Sequence, residues 1–170
     1  MRKFFFLASL TCVLFAMDIG KPLPDVRLTG EAGGCIDGKP FDSQKLRGKV
    51  RLIVYSDPDK RDLNEAFFRR VKALHLDRTR YGSVAIINMA ATWLPNFVLE
   101  AILKKKQKEY PDTLYVKDMH KAIVKAWDVA DENQDIIITD KEGRVLFYKV
   151  GKLLPAEQER AIAILREQLR

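Results

Sequence analysis

Asp135-Ile136-Ile137-Ile138-Thr139, Asp140-Lys141-Glu142-Gly143 and Arg144-Val145-Leu146-Phe147-Tyr148 follow one another without interruption. Two apolar segments of strand length flank a short polar stretch, and Gly143 supplies the positive φ that a tight reversal needs. The stretch reads as a β-hairpin. Upstream, Val50-Arg51-Leu52-Ile53-Val54-Tyr55 is a nearly continuous apolar run, which suits a central strand covered on both faces. Val84-Ala85-Ile86-Ile87 repeats that character, and Leu114-Tyr115-Val116 is a shorter strand.

Helical spacing fills the intervals. Leu63, Ala66, Phe67, Arg70, Val71 and Leu74 recur on one face, with Arg69, Arg70 and Lys72 towards solvent. Asn96 is placed to cap a helix running to about Tyr110, with Phe97, Val98, Ala101 and Ile102 expected inward. Lys121 to Trp127 reads as a further helix burying Ile123, Val124 and Trp127. Pro155 opens a last one with Ile162, Leu165 and Leu169 in a stripe. Between Gly20 and Phe41, Asp25 to Thr29 alternates like a strand. Gly30 to Gly34 reads as a turn before Cys35-Ile36, so an N-terminal β-hairpin is expected. Strands and helices that alternate in this order predict an α/β fold, a three-layer sandwich around a mixed sheet.

The chain has 170 residues, 47% hydrophobic and 31% charged, which places it with folded globular domains and away from disordered chains. Met1-Arg2-Lys3 precedes an uncharged run of about 14 residues, Phe4 to Met17, where a helical membrane span needs roughly 20. Residues 1–17 therefore read as a signal peptide and 18–170 as the exported, periplasmic domain. Cleavage after Ala16 would put Leu14 where a small side chain is preferred, and the alternative is an uncleaved anchor. Cys12 leaves with the leader, so Cys35 is a lone thiol in the mature chain. Net charge is +7, falling to about +5 without the leader. Lys104-Lys105-Lys106-Gln107-Lys108 points around most of a helix and reads as a solvated face, with nucleic acid or anionic membrane less favoured.

Several segments carry a family resemblance. Ile19-Gly20-Lys21-Pro22-Leu23-Pro24-Asp25-Val26 resembles the entry of exported thioredoxin-like and peroxiredoxin-like proteins, and Leu46-Arg47-Gly48-Lys49-Val50 resembles their lead into the first core strand. Ala126-Trp127-Asp128-Val129 with the 136–145 hairpin, and Gly151 with Pro155-Ala156-Glu157, are similar to their C-terminal part. Within that superfamily the resemblance narrows to the YtfJ group of small bacterial periplasmic proteins, through Lys49-Val50-Arg51, Arg80-Tyr81, Ile87-Asn88, Tyr110-Pro111 and Asp140 to Val145. It implies a thioredoxin-like sandwich over nearly the whole mature chain.

Dithiol chemistry needs C-x-x-C at the start of the first core helix, where dipole and amides lower the pKa of the attacking thiol. Here that place reads Ser56-Asp57-Pro58-Asp59-Lys60-Arg61-Asp62-Leu63, with Lys60 and Leu63 at the cysteine positions. The family's cis-proline would fall near Gln134, and Asn133-Gln134-Asp135 has no proline. Ala91-Thr92-Trp93-Leu94-Pro95-Asn96-Phe97 imitates the motif after the second core strand, but Leu94 and Phe97 replace both cysteines. Dithiol exchange is excluded in either register.

Other chemistry finds less. Asp57, Asp59 and Asp62 are dense enough to suggest a hard cation, but such acids also serve as helix caps, which is the reading preferred. His75 and His120 lack companions with metal-ligand spacing. No phosphate loop or serine-nucleophile elbow is present, and no cofactor is implied. Three functions follow. The first is a redox-inactive exported protein that binds a protein or small ligand through Asp57, Pro58, Asp59 and Lys60 after one strand and Trp93, Leu94 and Pro95 after the next, since open α/β sheets bind at strand carboxyl ends. The second is a thiol oxidoreductase or peroxidase resting on Cys35. The third, a transcriptional regulator, lacks a helix-turn-helix.

Overall fold

The computed structural model describes residues 17–170. The expected leader, with Cys12, lies outside the described residues apart from Met17. The strands are β1 Arg27–Leu28, β2 Gly33–Cys35, β3 Phe41–Asp42, β4 Val50–Ser56, β5 Tyr81–Asn88, β6 Thr113–Asp118, β7 Gln134–Thr139 and β8 Val145–Val150. The helices are α1 Glu65–Lys72, α2 Asn96–Glu109, α3 Ala122–Trp127 and α4 Pro155–Gln168.

Six strands form one mixed sheet in the order β2-β6-β5-β4-β7-β8. β4, β5 and β6 run parallel, while β7, β8 and β2 are antiparallel to their neighbours. The run beginning at Val50 is central, as its unbroken apolar character predicts. Alternation along the strands feeds two layers. Ile53, Tyr55, Val84, Ile86, Val116 and Ile137 pack with Ile123 and Trp127 of α3 and with Leu28 and Phe41 of the N-terminal ribbon. Leu52, Ile136 and Ile138 pack on the opposite face with Phe67 and Val71 of α1 and Ile162 and Leu165 of α4. On that same face α2 lays Leu99 and Leu103 against Tyr115 and Met89.

The hairpin at 135–148 forms as expected. Asp140 organises its turn by accepting from the amides of Glu142 and Arg144 at 3.0 and 2.8 Å, and Gly143 adopts φ 85°. Two expectations are corrected. The N-terminal ribbon pairs β1 with β3, not with the strand that follows Gly30–Gly34. The intervening β2 instead joins the edge of the main sheet beside β6. Gly33 makes this approach possible, since a Cβ there would lie 2.0 Å from the Lys117 carbonyl oxygen. In α2 the inward face is Leu99 and Leu103. Phe97 and Ile102 are exposed, and Pro95, not Asn96, precedes the first helical residue.

Candidate functional site

The thioredoxin-type site would sit where β4 and β5 end. The register puts Ser56 beside Ile87, so Asp57 follows beside Asn88, which itself pairs with Asp118 at the end of β6. All three side chains follow Tyr55, Ile86 and Val116 by two residues and share their face of the sheet. Buried in a row, they must satisfy one another or local amides. Asn88 Nδ2 donates to Asp57 Oδ1 and to Asp131 Oδ1, both at 3.0 Å, so one amide nitrogen joins two carboxylates. Asp131 is neutralised by Lys121 at 2.6 Å, which holds its carboxyl below the usual range. Asp118 accepts from the amides of Ala122 and Ile123, both at 2.9 Å, and from the Tyr55 hydroxyl at 3.3 Å.

The cover over this row is conformationally costly. Lys121, Asp128 and Glu132 adopt φ of 55°, 54° and 58°, left-handed values that non-glycine residues seldom take. Beneath it Asp135 on β7 accepts from the Tyr148 hydroxyl at 3.0 Å and from the Ala130 amide at 3.4 Å through Oδ1, while its buried Oδ2 has no partner. Burial pushes both Asp57 and Asp135 up to about 6. Asn88 and Tyr148 respectively pull them back through hydrogen bonds, and Asp131 and Asp57 add repulsion. Burial, then Asp118, raises Tyr55 well above the ordinary phenol range.

A second network closes the loop from the other side. Asn64 Nδ2 donates to Gln134 Oε1 and to the Gly151 carbonyl, both at 2.9 Å, and Asn64 Oδ1 accepts from the Leu153 amide at 2.8 Å. Gln134, standing where the family's proline would be, donates through Nε2 to Ser56 Oγ and to the Arg61 carbonyl. The β4–α1 loop is thus tied down at both ends.

The residues singled out in sequence separate accordingly. Asp57 and Pro58 are buried, whereas Asp59 and Lys60 are exposed. Asp57 stands at the N-cap of a short 3-10 turn, Pro58–Lys60, but its carboxylate turns to Asn88 and caps no amide. Asp59 and Asp62 face solvent, so the three acids do not converge, and no group of His, Cys, Asp or Glu among the described residues is arranged to hold a metal. His75 and His120 lie on separate loops. Across the gap, Trp93 is 86% exposed, Pro95 is exposed, and Leu94 is half-buried against the core under α2. Cys35 lies on the edge strand β2, at the opposite end of α2 from Trp93. Burial, then Asp37, raises its thiol above the ordinary cysteine value.

Asn64, Asn88, Asp118, Asp131, Gln134 and Asp135 escape a motif search. The visible signal is a polar residue closing each apolar parallel strand, Asn88 after Ile87 and Asp118 after Val116. At the end of β4 the structure thus holds a buried polar network, with Asp59 and Lys60 exposed on the same loop.

A family model described as "Bacterial protein of unknown function (YtfJ_HI0045)" matches residues 28–168. The chain belongs to this family. The uncharacterized protein YtfJ of Escherichia coli (strain K12) is 24% identical over 180 residues, covering 96% of this chain and 97% of that one. Among solved structures, a thiol-disulfide isomerase from Corynebacterium glutamicum aligns with a TM-score of 0.61 at 15% identity, over 86% of this chain and 96% of that one. The thiol peroxidase from Chromobacterium violaceum gives 0.63 at 13%, over 88% and 87%. At these identities the likeness is one of fold, and the YtfJ-family chain is a thioredoxin-like sandwich. No helix among the described residues is long and apolar enough to cross a membrane.

Proposed function

We propose that this YtfJ-family chain is an exported thioredoxin-fold protein that binds polypeptide without dithiol exchange. The observation that carries the reading is Trp93, 86% exposed at the carboxyl end of a central parallel strand. Open α/β sheets bind ligands at that end, and an exposed indole contributes anchor area. The neighbouring cysteine positions are Lys60 and Leu63, so a polypeptide held there meets no thiol. Export rests on the leader-like run that ends near Met17. A Cys35 enzyme is less supported, because a raised thiol pKa leaves little thiolate at neutral pH.

The test uses the emission of Trp93, with buried Trp127 as the silent background. Titration with a reduced, alkylated polypeptide should shift the emission to the blue in saturable fashion. The protein should not accelerate reduction of insulin disulfides by dithiothreitol. An unchanged Trp93 spectrum refutes binding at this loop, and insulin reduction that is lost in Cys35→Ser refutes the redox-inactive reading.

A further inference from the structure

The reading above leaves the partner's chemistry open, and the outer face of α2 narrows it. Leu99 and Leu103 point to the sheet, so Phe97, Ala101, Lys104 and Lys108, at i, i+4, i+7 and i+11, form the stripe facing away from it. Lys105 borders that stripe. Phe97 is 75% exposed, and Trp93 stands just ahead of it on the preceding loop.

The lysines are uncommitted. Lys106 is engaged by Glu109 at 3.2 Å and lies over the Tyr110 ring, so it is set apart from the other three. Lys104, Lys105 and Lys108 take part in no ion pair among the described residues. Both acids of the helix are spent, Glu109 on Lys106 and Glu100 on Lys117 at 2.6 Å. The stripe therefore presents an apolar head and a cationic tail that Glu100 and Glu109 offset only from beyond ion-pair distance. At 1.5 Å per residue the charges begin about 10 Å from Phe97 and end about 16 Å from it.

This lengthwise segregation decides between partners. A helix lying in a bilayer interface carries its apolar stripe along its whole length, with cations at the borders. In α2, Lys104 and Lys108 occupy the stripe that Phe97 begins, so the helix cannot settle into lipid without burying them. A polypeptide segment that is apolar at one end and acidic for the next few residues matches both halves at once.

We propose that the outer face of α2 takes an acidic polypeptide segment, its apolar anchor on Trp93 and Phe97 and its carboxylates on Lys104, Lys105 and Lys108. The proposal rests on the polypeptide-binding reading and adds the partner's charge. The experiment titrates the full chain with labelled random copolymers of Glu and Tyr, of Lys and Tyr, and of Ser and Tyr. The Glu copolymer should bind best. The triple variant K104E/K105E/K108E, all surface positions, should weaken it at least tenfold, and W93A/F97A should weaken all three copolymers. Raising NaCl from roughly 0.05 to 0.5 M should erase the preference for the Glu copolymer in the wild type and, by screening the new repulsion, strengthen Glu-copolymer binding to the charge-reversed variant. Equal binding of all three copolymers overturns the acidic partner and leaves polypeptide binding standing. No binding of any overturns both. Retention on phosphatidylglycerol vesicles that depends on the same lysines, without copolymer binding, overturns the proposal in favour of a bilayer.

Discussion

The loops that leave β4 and β5 are neighbours, both at carboxyl ends of parallel strands, yet they are built oppositely. The β4 loop folds shut: Asp57 and Pro58 are buried, and Asn64 and Gln134 knit it to β7 and to the segment before α4. The β5 loop opens outward and spends its largest side chain, Trp93, on solvent. In a dithiol enzyme of this fold the first loop must present a reactive thiol. Without that duty it is free to become core, and the polar atoms at the strand ends satisfy each other instead of a substrate. The difference is one of burial: one loop adds to the core, and the other leaves its largest side chain in solvent.

The comparison breaks most visibly at Asn64. Its amide serves Gln134 and Gly151 while its carbonyl oxygen takes the Leu153 amide, and the residue is only 2% exposed. Asn64→Ala strands the buried Gln134 Oε1 and Leu153 amide, at about 1 kcal/mol or more each, and the half-buried Gly151 carbonyl at less, so a loss of about 2–3 kcal/mol is expected in urea unfolding. A loss below about 1 kcal/mol would mean that the β4 loop is not held shut as described.

The next effect is pH dependence. Asp57 and Asp135 each have a folded pKa of about 6, raised from 3.8 chiefly by burial. The folded state then binds protons more tightly than the unfolded chain, so stability is lowest at neutral pH and above. It rises as pH falls through 6 towards 4. At about 1.4 kcal/mol per unit, and with repulsion shared between the two groups, a net gain of about 2 kcal/mol between pH 7.5 and pH 5 is expected. Asp131, whose pKa Lys121 lowers, opposes the trend only at lower pH. Asp135→Asn should flatten the profile by about half, measured as unfolding free energy against pH. Stability that falls from pH 7.5 to 5 would contradict the burial of these carboxylates.

How much of this was readable from the residues follows the same division. The hairpin, the central strand at Val50 and the face of α4 are dictated by local periodicity and turn chemistry, and they form where expected. The α2 face was misread because that helix carries two apolar stripes, Phe97 with Ala101 and Leu99 with Leu103. Periodicity cannot say which meets the sheet. Gly33 and Gly34 read as a turn, yet they serve as strand residues where the backbone comes too close for a side chain, Lys117 of β6 at Gly33 and the Lys39 carbonyl at Gly34. The missing thiols were plain in sequence. The network replacing them was not, because Asp57, Asn88 and Asp131 are brought together only by strand register and by the return of the chain after α3.

The smallest effect on stability belongs to the open loop. Trp93 has 86% of its surface in solvent, so Trp93→Ala removes little buried area and should change unfolding free energy by less than about 0.5 kcal/mol. Its spectroscopic effect is large by contrast. Trp93 should emit at long wavelength and be quenched freely by acrylamide, while Trp127, 2% exposed with its indole nitrogen donating to the Pro24 carbonyl at 2.8 Å, should be shielded. The wild type should give a curved quenching plot of two populations, and Trp93→Ala should leave only the shielded one. Quenching that shows two shielded indoles would take Trp93 off the surface and with it the contrast between the loops.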